Sequence, residues 1–305
     1  MAVAEVRIAG RSSTGKIKPN DSERYPSADQ LRTRFRFSSR YLLMENLQSI
    51  VNVGTYPIHD LNHPGAEQVI AQAKTQLAST GASHFPGFLS PEGLAGFLQE
   101  ARSLEAEAHA SDNWYTPYYG KPDNAYPAGH PFNCTVHFAV RYVSRTLLPE
   151  SSPLRRLFEA DDLLAFLRAL LPNEPLHRYS DARGSLNYTV MAEGDELGWH
   201  FDACELVASI LLRPAEAGGV FEYIPGVRTV DNERFPDVAS ILSGQDQHRT
   251  PVNFLPGDMV LFRGRHSLHR VTAIKGEVSR LIALMSFDNV KKALERDVPD
   301  DLLPL

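Results

Sequence analysis

The sequence has few of the features that would assign it at once to a specialised class. Only two of its 305 residues are cysteines. Cys134 and Cys204 allow at most one disulfide, so a disulfide-stapled scaffold is a poor interpretation and a reducing compartment is favoured. Long apolar runs are also missing: residues 163–171 span about half of the roughly 20 residues that a membrane helix needs, and Arg168 interrupts them. We therefore expect no membrane attachment.

Positive charge is also in short supply. The chain has 31 lysines and arginines against 37 acidic residues, which gives a net charge of −6. A nucleic-acid-binding surface is usually basic, so we expect no nucleic-acid partner. Residues 1–11 contain Glu5 and Arg7 and no uninterrupted apolar stretch, so no secretory signal is visible. We expect a cytoplasmic protein, and its oligomeric state stays open.

The spacing of apolar residues divides the chain into a helical part and a strand-rich part. Helical periodicity predicts helices over 64–80, 90–110 and 153–171. Between them, segment 111–130 is aromatic and rich in proline, which predicts an irregular lid. After residue 175 short apolar runs alternate with Gly, Pro and Asp, as in a jelly roll.

These patterns predict an α+β fold: a double-stranded β-helix (jelly-roll) core buttressed by N-terminal helices. We expect residues 31–290 to pack as one unit. The predicted regions are a flexible arm (1–30), a mainly helical part (31–175), a jelly-roll catalytic core (176–290) and a C-terminal tail (291–305).

One short motif points to metal chemistry. In His200-Phe201-Asp202 the imidazole and the carboxylate are two residues apart, so in an extended chain they project from the same face. His269 lies near the start of a late strand. Two histidines and one carboxylate leave three open positions on an octahedral iron, as in the non-haem Fe(II) oxygenases. An H-x-D tripeptide also occurs by chance, so Arg280 matters as a possible anchor for an acid.

At this point the sequence resembles the Fe(II)/2-oxoglutarate-dependent oxygenase superfamily over approximately residues 186–288. A weaker resemblance, to the bacterial group of free amino acid hydroxylases and their halogenase relatives, extends to residues 56–58 and 85–90. The motifs that carry the main resemblance are Leu186-Asn187-Tyr188, Gly194-Asp195, Gly198-Trp199-His200-Phe201-Asp202, the run from Gly218 to Tyr223, Pro256-Gly257-Asp258 and the run from Phe262 to Thr272.

The resemblance implies a ligand set and a cosubstrate. His200, Asp202 and His269 would bind Fe(II), with His266 as the competing histidine. Arg280 would bind the distal carboxylate of 2-oxoglutarate, and O2 would be the second cosubstrate. Ser209 and Asn187 are further candidates for cosubstrate contacts, although ordinary structural roles are nearly as plausible for both. Ile282 departs from the superfamily, which often has a hydroxyl residue at that position.

The implied reaction is hydroxylation of an unactivated C–H bond of a small polar molecule, such as a free amino acid or a derivative, with release of succinate and CO2. Desaturation or cyclisation stays possible. Halogenating relatives lack the ligand carboxylate, so Asp202 disfavours halogenation. The candidate substrate-binding residues are Trp199, Arg213, Glu222 and Arg228, which also have structural interpretations as a packing residue, an exposed edge residue and a surface ion pair.

Two other interpretations stay open from the residues alone. One is a cupin-like metal enzyme that does not use 2-oxoglutarate, and the other is a jelly-roll binding or sensing module. Arg280 discriminates between these and the oxygenase, because a cupin-like enzyme does not need a carboxylate anchor. A binding module, in turn, does not need all three ligands.

Overall fold

The computed structural model describes residues 47–181, 184–245 and 248–290, and the fold is given for those residues alone. The predicted arm (1–30) and tail (291–305) lie outside the described residues.

Local signals in the sequence account for the ends of the first helices. Before α1, the His63 side chain accepts a hydrogen bond from the Gly65 amide, and after it Gly81 adopts a left-handed conformation with φ of 71°. Before α2, Ser90 accepts from the Gly93 amide. The helices are α1 (Pro64–Thr80), α2 (Pro91–Leu104), α3 (Pro153–Glu159), α4 (Asp161–Leu170) and α5 (Phe235–Leu242).

Strands occur in both halves of the described chain and are most frequent after residue 175. In chain order they are β1 (Ala82–Phe85), β2 (His109–Tyr115), β3 (Val136–Ser144), β4 (His177–Arg178), β5 (Leu186–Met191), β6 (Glu196–His200), β7 (Leu206–Arg213), β8 (Ala217–Gly218), β9 (Phe221–Ile224), β10 (Thr250–Val252), β11 (Met259–Phe262), β12 (Leu268–Val271), β13 (Ile274–Lys275) and β14 (Arg280–Asp288).

The sheet is a curled antiparallel double-stranded β-helix. Within the described residues twelve strands form one sheet in the order β1-β11-β7-β14-β5-β3-β6-β12-β9-β10, with β2 on β3 and β4 on β14. Strands β13 and β8 form a separate pair. The α+β jelly-roll prediction is confirmed. Helices α1 to α4 pack on one face of β5, β7, β11 and β14, and the opposite face of these strands looks into the curl.

The first part of the chain, which was predicted to be mainly helical, also supplies strands to the sheet. It contributes β1, β2 and β3, and β3 pairs with both β5 and β6. Strand β2 takes in the start of the segment 111–130, which was predicted to be irregular. Alternation of Val136, Phe138, Val140 and Tyr142 with other residues is a strand signal. Helix α5 was also absent from the predictions.

None of the helices in the described ranges is both long and apolar enough to cross a membrane.

Candidate metal centre

Sheet pairing brings the two histidines of the predicted ligand set together. Strands β6 and β12 are antiparallel neighbours, and His200 is the direct cross-strand partner of His269. Side chains at such positions point to the same face at close range. The two imidazole rings have centroids 4.1 Å apart, and both residues are buried. A separation of 69 positions in sequence is thus closed by one pair of strands.

Asp202 follows the end of β6 and completes the group. Its Oδ1 lies 3.4 Å from Nε2 of His269 and 4.0 Å from Nε2 of His200. One ligand atom from each of the three residues lies within 4.8 Å of the others. The Asp202 amide donates to the Gly264 carbonyl oxygen at 3.0 Å. A Cβ at position 264 would lie 1.7 Å from Oδ2 of Asp202, so only glycine leaves space for this carboxylate.

Hydrogen bonds fix the orientation of both imidazoles. The Nδ1 atom of His200 is 2.7 Å from the Gly198 carbonyl oxygen, and that of His269 is 2.9 Å from the Ser267 carbonyl oxygen. A carbonyl oxygen only accepts, so each Nδ1 carries the hydrogen and each Nε2 keeps its lone pair for the shared centre. This donor set, two neutral imidazoles and one carboxylate, fits a divalent iron.

The electrostatics of the group agree with that assignment. Burial, with the nearby His269, lowers the pKa of His200 to about 3, which keeps the imidazole neutral. Burial acts to raise the pKa of Asp202, but His269, His200 and Arg228 outweigh it and leave the pKa below its ordinary value. Asp202 is therefore ionised at neutral pH.

A narrow cavity of about 130 Å³ borders the group inside the curl. His200, Asp202, Asn187, Thr189, Leu284 and Ser286 are among the residues that line it. Asn187 is buried, and its Oδ1 accepts a hydrogen bond from the Thr189 hydroxyl at 2.8 Å. Ser209 is the cross-strand partner of Leu284 and is half-buried. No described group bonds the Ser209 hydroxyl.

Arg280 is a buried arginine on the inner face of the sheet. Only 4% of it is exposed. Alternation along β14 places it on the same face as Leu284 and Ser286, which line the cavity. Among the described residues it has no hydrogen-bond or ion-pair partner, and burial alone lowers its pKa to about 10. A buried unpaired guanidinium is costly, so this site suits an anionic ligand.

A larger cavity of about 800 Å³ lies on the other side of Asp202. Arg228 is in its wall, with its guanidinium 4.2 Å from the centroid of the Phe201 ring and 5.4 Å from that of Tyr118. Its Nη1 donates to Glu233 at 3.0 Å. Of the four candidate substrate-binding residues, Arg228 is the one that the structure brings to a cavity beside the metal group.

The other three candidates lie elsewhere. Arg213 donates to the carbonyl oxygen and hydroxyl of Ser279. Trp199 packs on the outside of the sheet with a cluster that includes α5, and the Arg270 guanidinium lies 4.7 Å from its ring centroid.

Glu222 is also directed away from the metal group. It accepts from Arg270 at 2.7 Å. Phe221 is the neighbour that faces the metal group, since its ring centroid is 5.7 Å from that of His269. Alternation along β9 therefore places Glu222 on the outer face.

Tyr119 is a site residue that the sequence analysis did not single out. It adopts a left-handed backbone conformation with φ of 63°, which is uncommon for a residue with a Cβ. Its ring centroid is 5.7 Å from that of His200, and the residue lines both cavities. Burial, and then the charge of Asp202, raise the pKa of Tyr119 well above its ordinary value. Tyr119 lies in the turn Thr116-Pro117-Tyr118-Tyr119-Gly120, and no sequence pattern marks it as a site residue.

A jelly roll that carries two histidines and a carboxylate around one point defines the class of non-haem Fe(II) oxygenase sites. The family model described as "HalD: Halogenase D" matches residues 135–301, more than half of the chain and all three candidate ligands. The chain therefore belongs to the Halogenase D family.

Comparison with other proteins agrees on the fold. A crystal structure of the epimerase SnoN in complex with Fe3+, alpha ketoglutarate and nogalamycin RO is 20% identical over 73% of this chain and 84% of that chain, with a TM-score of 0.51. The non-heme alpha ketoglutarate dependent carbocyclase SnoK from nogalamycin biosynthesis is 17% identical over 71% of this chain and 82% of that chain, with a TM-score of 0.50. None of the curated proteins matches the chain.

Proposed function

We propose that the protein is a non-haem Fe(II)/2-oxoglutarate-dependent dioxygenase that hydroxylates an unactivated C–H bond of a small polar substrate. Succinate and CO2 would be the coproducts. The single observation that carries this proposal is the pairing of a His-Asp-His group with a buried Arg280, which has no partner among the described residues, on the inner face of the same sheet. The cupin-like and sensing alternatives do not explain why a charge of this cost is kept in the interior.

Each residue of the pair has a defined task in this proposal. The Nε2 atoms of His200 and His269 and the carboxylate of Asp202 would hold the iron. Arg280 would bind the distal carboxylate of 2-oxoglutarate through a bidentate pair of hydrogen bonds. When bound, Fe(II) with 2-oxoglutarate and O2 supplies the oxidising power that C–H hydroxylation needs. The SnoN complex, which holds iron and alpha ketoglutarate on a similar fold, supports the proposal.

Asp202 favours hydroxylation over the halogenation that the family description suggests. Three protein ligands leave three positions on an octahedral iron. A bidentate cosubstrate and O2 would occupy these three positions, so no position would be left for a halide. Loss of the carboxylate would open one. The Asp202 carboxylate, seated against Gly264, is therefore the feature that we propose selects hydroxylation in this member.

The larger cavity is the proposed substrate site. Its wall carries groups of both signs: Lys121, Arg228 and Arg265 are cationic, and Asp123 and Glu233 are anionic. Such a wall suits a substrate with a carboxylate and an amine, so a free amino acid or a derivative is the proposed class.

We propose that the part of segment 111–130 that lines this cavity acts as the lid. Replacing its tyrosines should uncouple 2-oxoglutarate consumption from product formation, and unchanged coupling would contradict the lid.

The test starts with the purified protein under anaerobic conditions. Addition of Fe(II) and 2-oxoglutarate should produce the weak visible charge-transfer band of the chelate. Admission of air, with a panel of amino acids and nucleosides, should then identify the substrate by stimulated succinate release. His200→Ala should abolish the band, whereas Arg280→Ala should mainly weaken 2-oxoglutarate binding. A full-strength band in His200→Ala would overturn the ligand assignment.

A further inference from the structure

Residues 263–267, Arg263-Gly264-Arg265-His266-Ser267, connect β11 to β12 and contact two of the three candidate iron ligands. The Gly264 carbonyl accepts from the Asp202 amide, and the Ser267 carbonyl accepts from His269. The 263–267 segment therefore bonds the backbone of Asp202 and the ring of His269, and its Gly264 lies against the Asp202 carboxylate. His266, the competing histidine in the sequence, is not part of the metal group.

The 263–267 segment is held by Glu205, which is 1% exposed. Arg263 donates from Nε to Oε1 of Glu205 at 2.9 Å. The other carboxylate oxygen, Oε2, lies 3.2 Å from Nε2 of His266 and 3.5 Å from Nη1 of Arg265. Three side chains of one segment thus converge on one buried carboxylate.

The carboxylate of Glu205 is ionised. Burial acts to raise its pKa, but the hydrogen bond from His266 and the charge of Arg263 prevail and bring the pKa to about 2. A buried carboxylate with this many donors is expensive to disturb, because loss of its charge leaves the facing arginines partly unpaired.

Further bonds extend this network from the loop of Asp202 to the end of strand β14. Glu205 lies three residues after Asp202 in the same loop. Arg265 donates from Nη2 to the Ala203 carbonyl at 2.8 Å and to Asp288, at the end of β14, at 2.6 Å. The Arg263 guanidinium also reaches Glu174 at 3.0 Å. The network therefore links the loop after β6, the 263–267 segment and β14.

We propose that Glu205 is a positioning residue for the iron site: through Arg263, Arg265 and His266 it holds the 263–267 segment against Asp202 and His269. Glu205 touches neither iron nor substrate. It acts by keeping the Asp202 carboxylate and the His269 ring in place before metal arrives, so its loss weakens metal affinity. This inference rests on the proposed function, since it presupposes that the three residues bind a divalent ion.

The experiment measures Co(II) binding by the metal-free full-length protein, by calorimetry and by the visible spectrum of the bound ion. Glu205→Gln keeps the shape of the side chain and removes its charge. We expect its dissociation constant for Co(II) to rise at least tenfold, as is usual when a group that orients a ligand is removed. We also expect a changed Co(II) spectrum, because the ligand geometry is loosened.

Glu100→Gln is the matched control. The Glu100 carboxylate accepts hydrogen bonds from the Ser152 and Tyr188 hydroxyls, on the helix side of the sheet. This variant should lower the thermal midpoint and leave Co(II) affinity within twofold of the wild type. If Glu205→Gln behaves in the same way, its role is purely structural and the inference is overturned.

A substitute variant and two reference proteins, the wild type and His200→Ala, complete the experiment. If Glu205→Gln cannot be obtained folded, Arg263→Lys replaces it: a rise of threefold or more in the dissociation constant supports the inference, and an unchanged value overturns it. Failure of the wild type to bind Co(II) would overturn the proposed function as well. Binding by the wild type that is lost in His200→Ala, with Glu205→Gln unaffected, would overturn this inference alone.

Discussion

The two faces of β5, β7 and β14 carry different chemistry. The face toward the helices is buried and almost wholly apolar, as in Ile210 and Ala283, whereas the inner face carries Asn187, Ser209 and Arg280. Successive residues of a strand point to opposite faces, so the same stretch of chain serves two purposes. We infer that the helix-facing positions mainly stabilise the fold, whereas the inner-face positions mainly serve ligand binding.

The largest change in the free energy of unfolding should follow from a substitution that creates a cavity on the helix-facing side. Phe97 of α2 is 0% exposed, and its ring centroid is 6.2 Å from that of Tyr188. Phe97→Ala should lower the free energy of unfolding by about 3–5 kcal/mol. Urea denaturation measures the loss, and Co(II) affinity of the folded fraction should stay at the wild-type value. A large loss of metal affinity would show that the two faces are not separable.

Arg280→Met should raise the free energy of unfolding, in contrast to Phe97→Ala. It replaces a buried charge that has no partner among the described residues by an apolar side chain of similar length. The free energy of unfolding without 2-oxoglutarate should rise by about 1–3 kcal/mol, while binding of 2-oxoglutarate is lost. Thermal shifts with and without 2-oxoglutarate measure both effects.

Arg213→Met provides the control for this prediction. Arg213 lies on β7 and bonds Ser279, so its loss should not stabilise the protein, and the thermal shift with 2-oxoglutarate should persist. A destabilised Arg280→Met protein would mean that the guanidinium is satisfied in the interior, against the proposed anchor role.

A smaller effect concerns the pH dependence of stability at Glu205. Its pKa is about 2 in the folded protein, below the ordinary value of 4.5. Its stabilising effect is therefore complete above about pH 4.5 and is lost as the pH falls toward 2. Between pH 5 and pH 3 the wild type should lose more unfolding free energy than Glu205→Gln, by on the order of 1 kcal/mol. Parallel curves in urea denaturation would contradict this assignment.

The sequence was most informative where chemistry needs fixed residue types. His200 and Asp202 drew attention through the H-x-D motif, the resemblance to the oxygenase superfamily implied the full set with His269, and the structure brings all three together. Arg280 could be found by its distance from His269. The jelly roll followed from short strands at regular spacing.

The remaining misses have physical reasons. Strand β3 was overlooked because it stands among helices and a long aromatic loop, although its period of two is visible. Arg213 and Glu222 were candidates on charge alone, and charge does not reveal a partner: each is paired away from the iron site. Tyr119 reaches His200 through a turn whose left-handed residue the sequence does not announce.

The smallest expected effect tests whether a polar inner-face residue serves the cosubstrate. Ser209 is half-buried, and no described group bonds its hydroxyl. Ser209→Ala should therefore change the free energy of unfolding by less than about 0.5 kcal/mol, because no hydrogen bond within the protein is lost. If the hydroxyl binds a carboxylate of 2-oxoglutarate, the dissociation constant should rise by roughly tenfold or more, the value of one hydrogen bond to a charged group.

Calorimetry with Co(II) in place of iron measures the affinity of Ser209→Ala for 2-oxoglutarate without turnover. Ala208→Ser is the matched control, since it puts a hydroxyl on the helix-facing side of the same strand. It should cost stability, because the hydroxyl enters an apolar core, and should leave 2-oxoglutarate binding unchanged. Unchanged binding in Ser209→Ala would assign this serine to the structure of the strand and leave Arg280 as the proposed anchor.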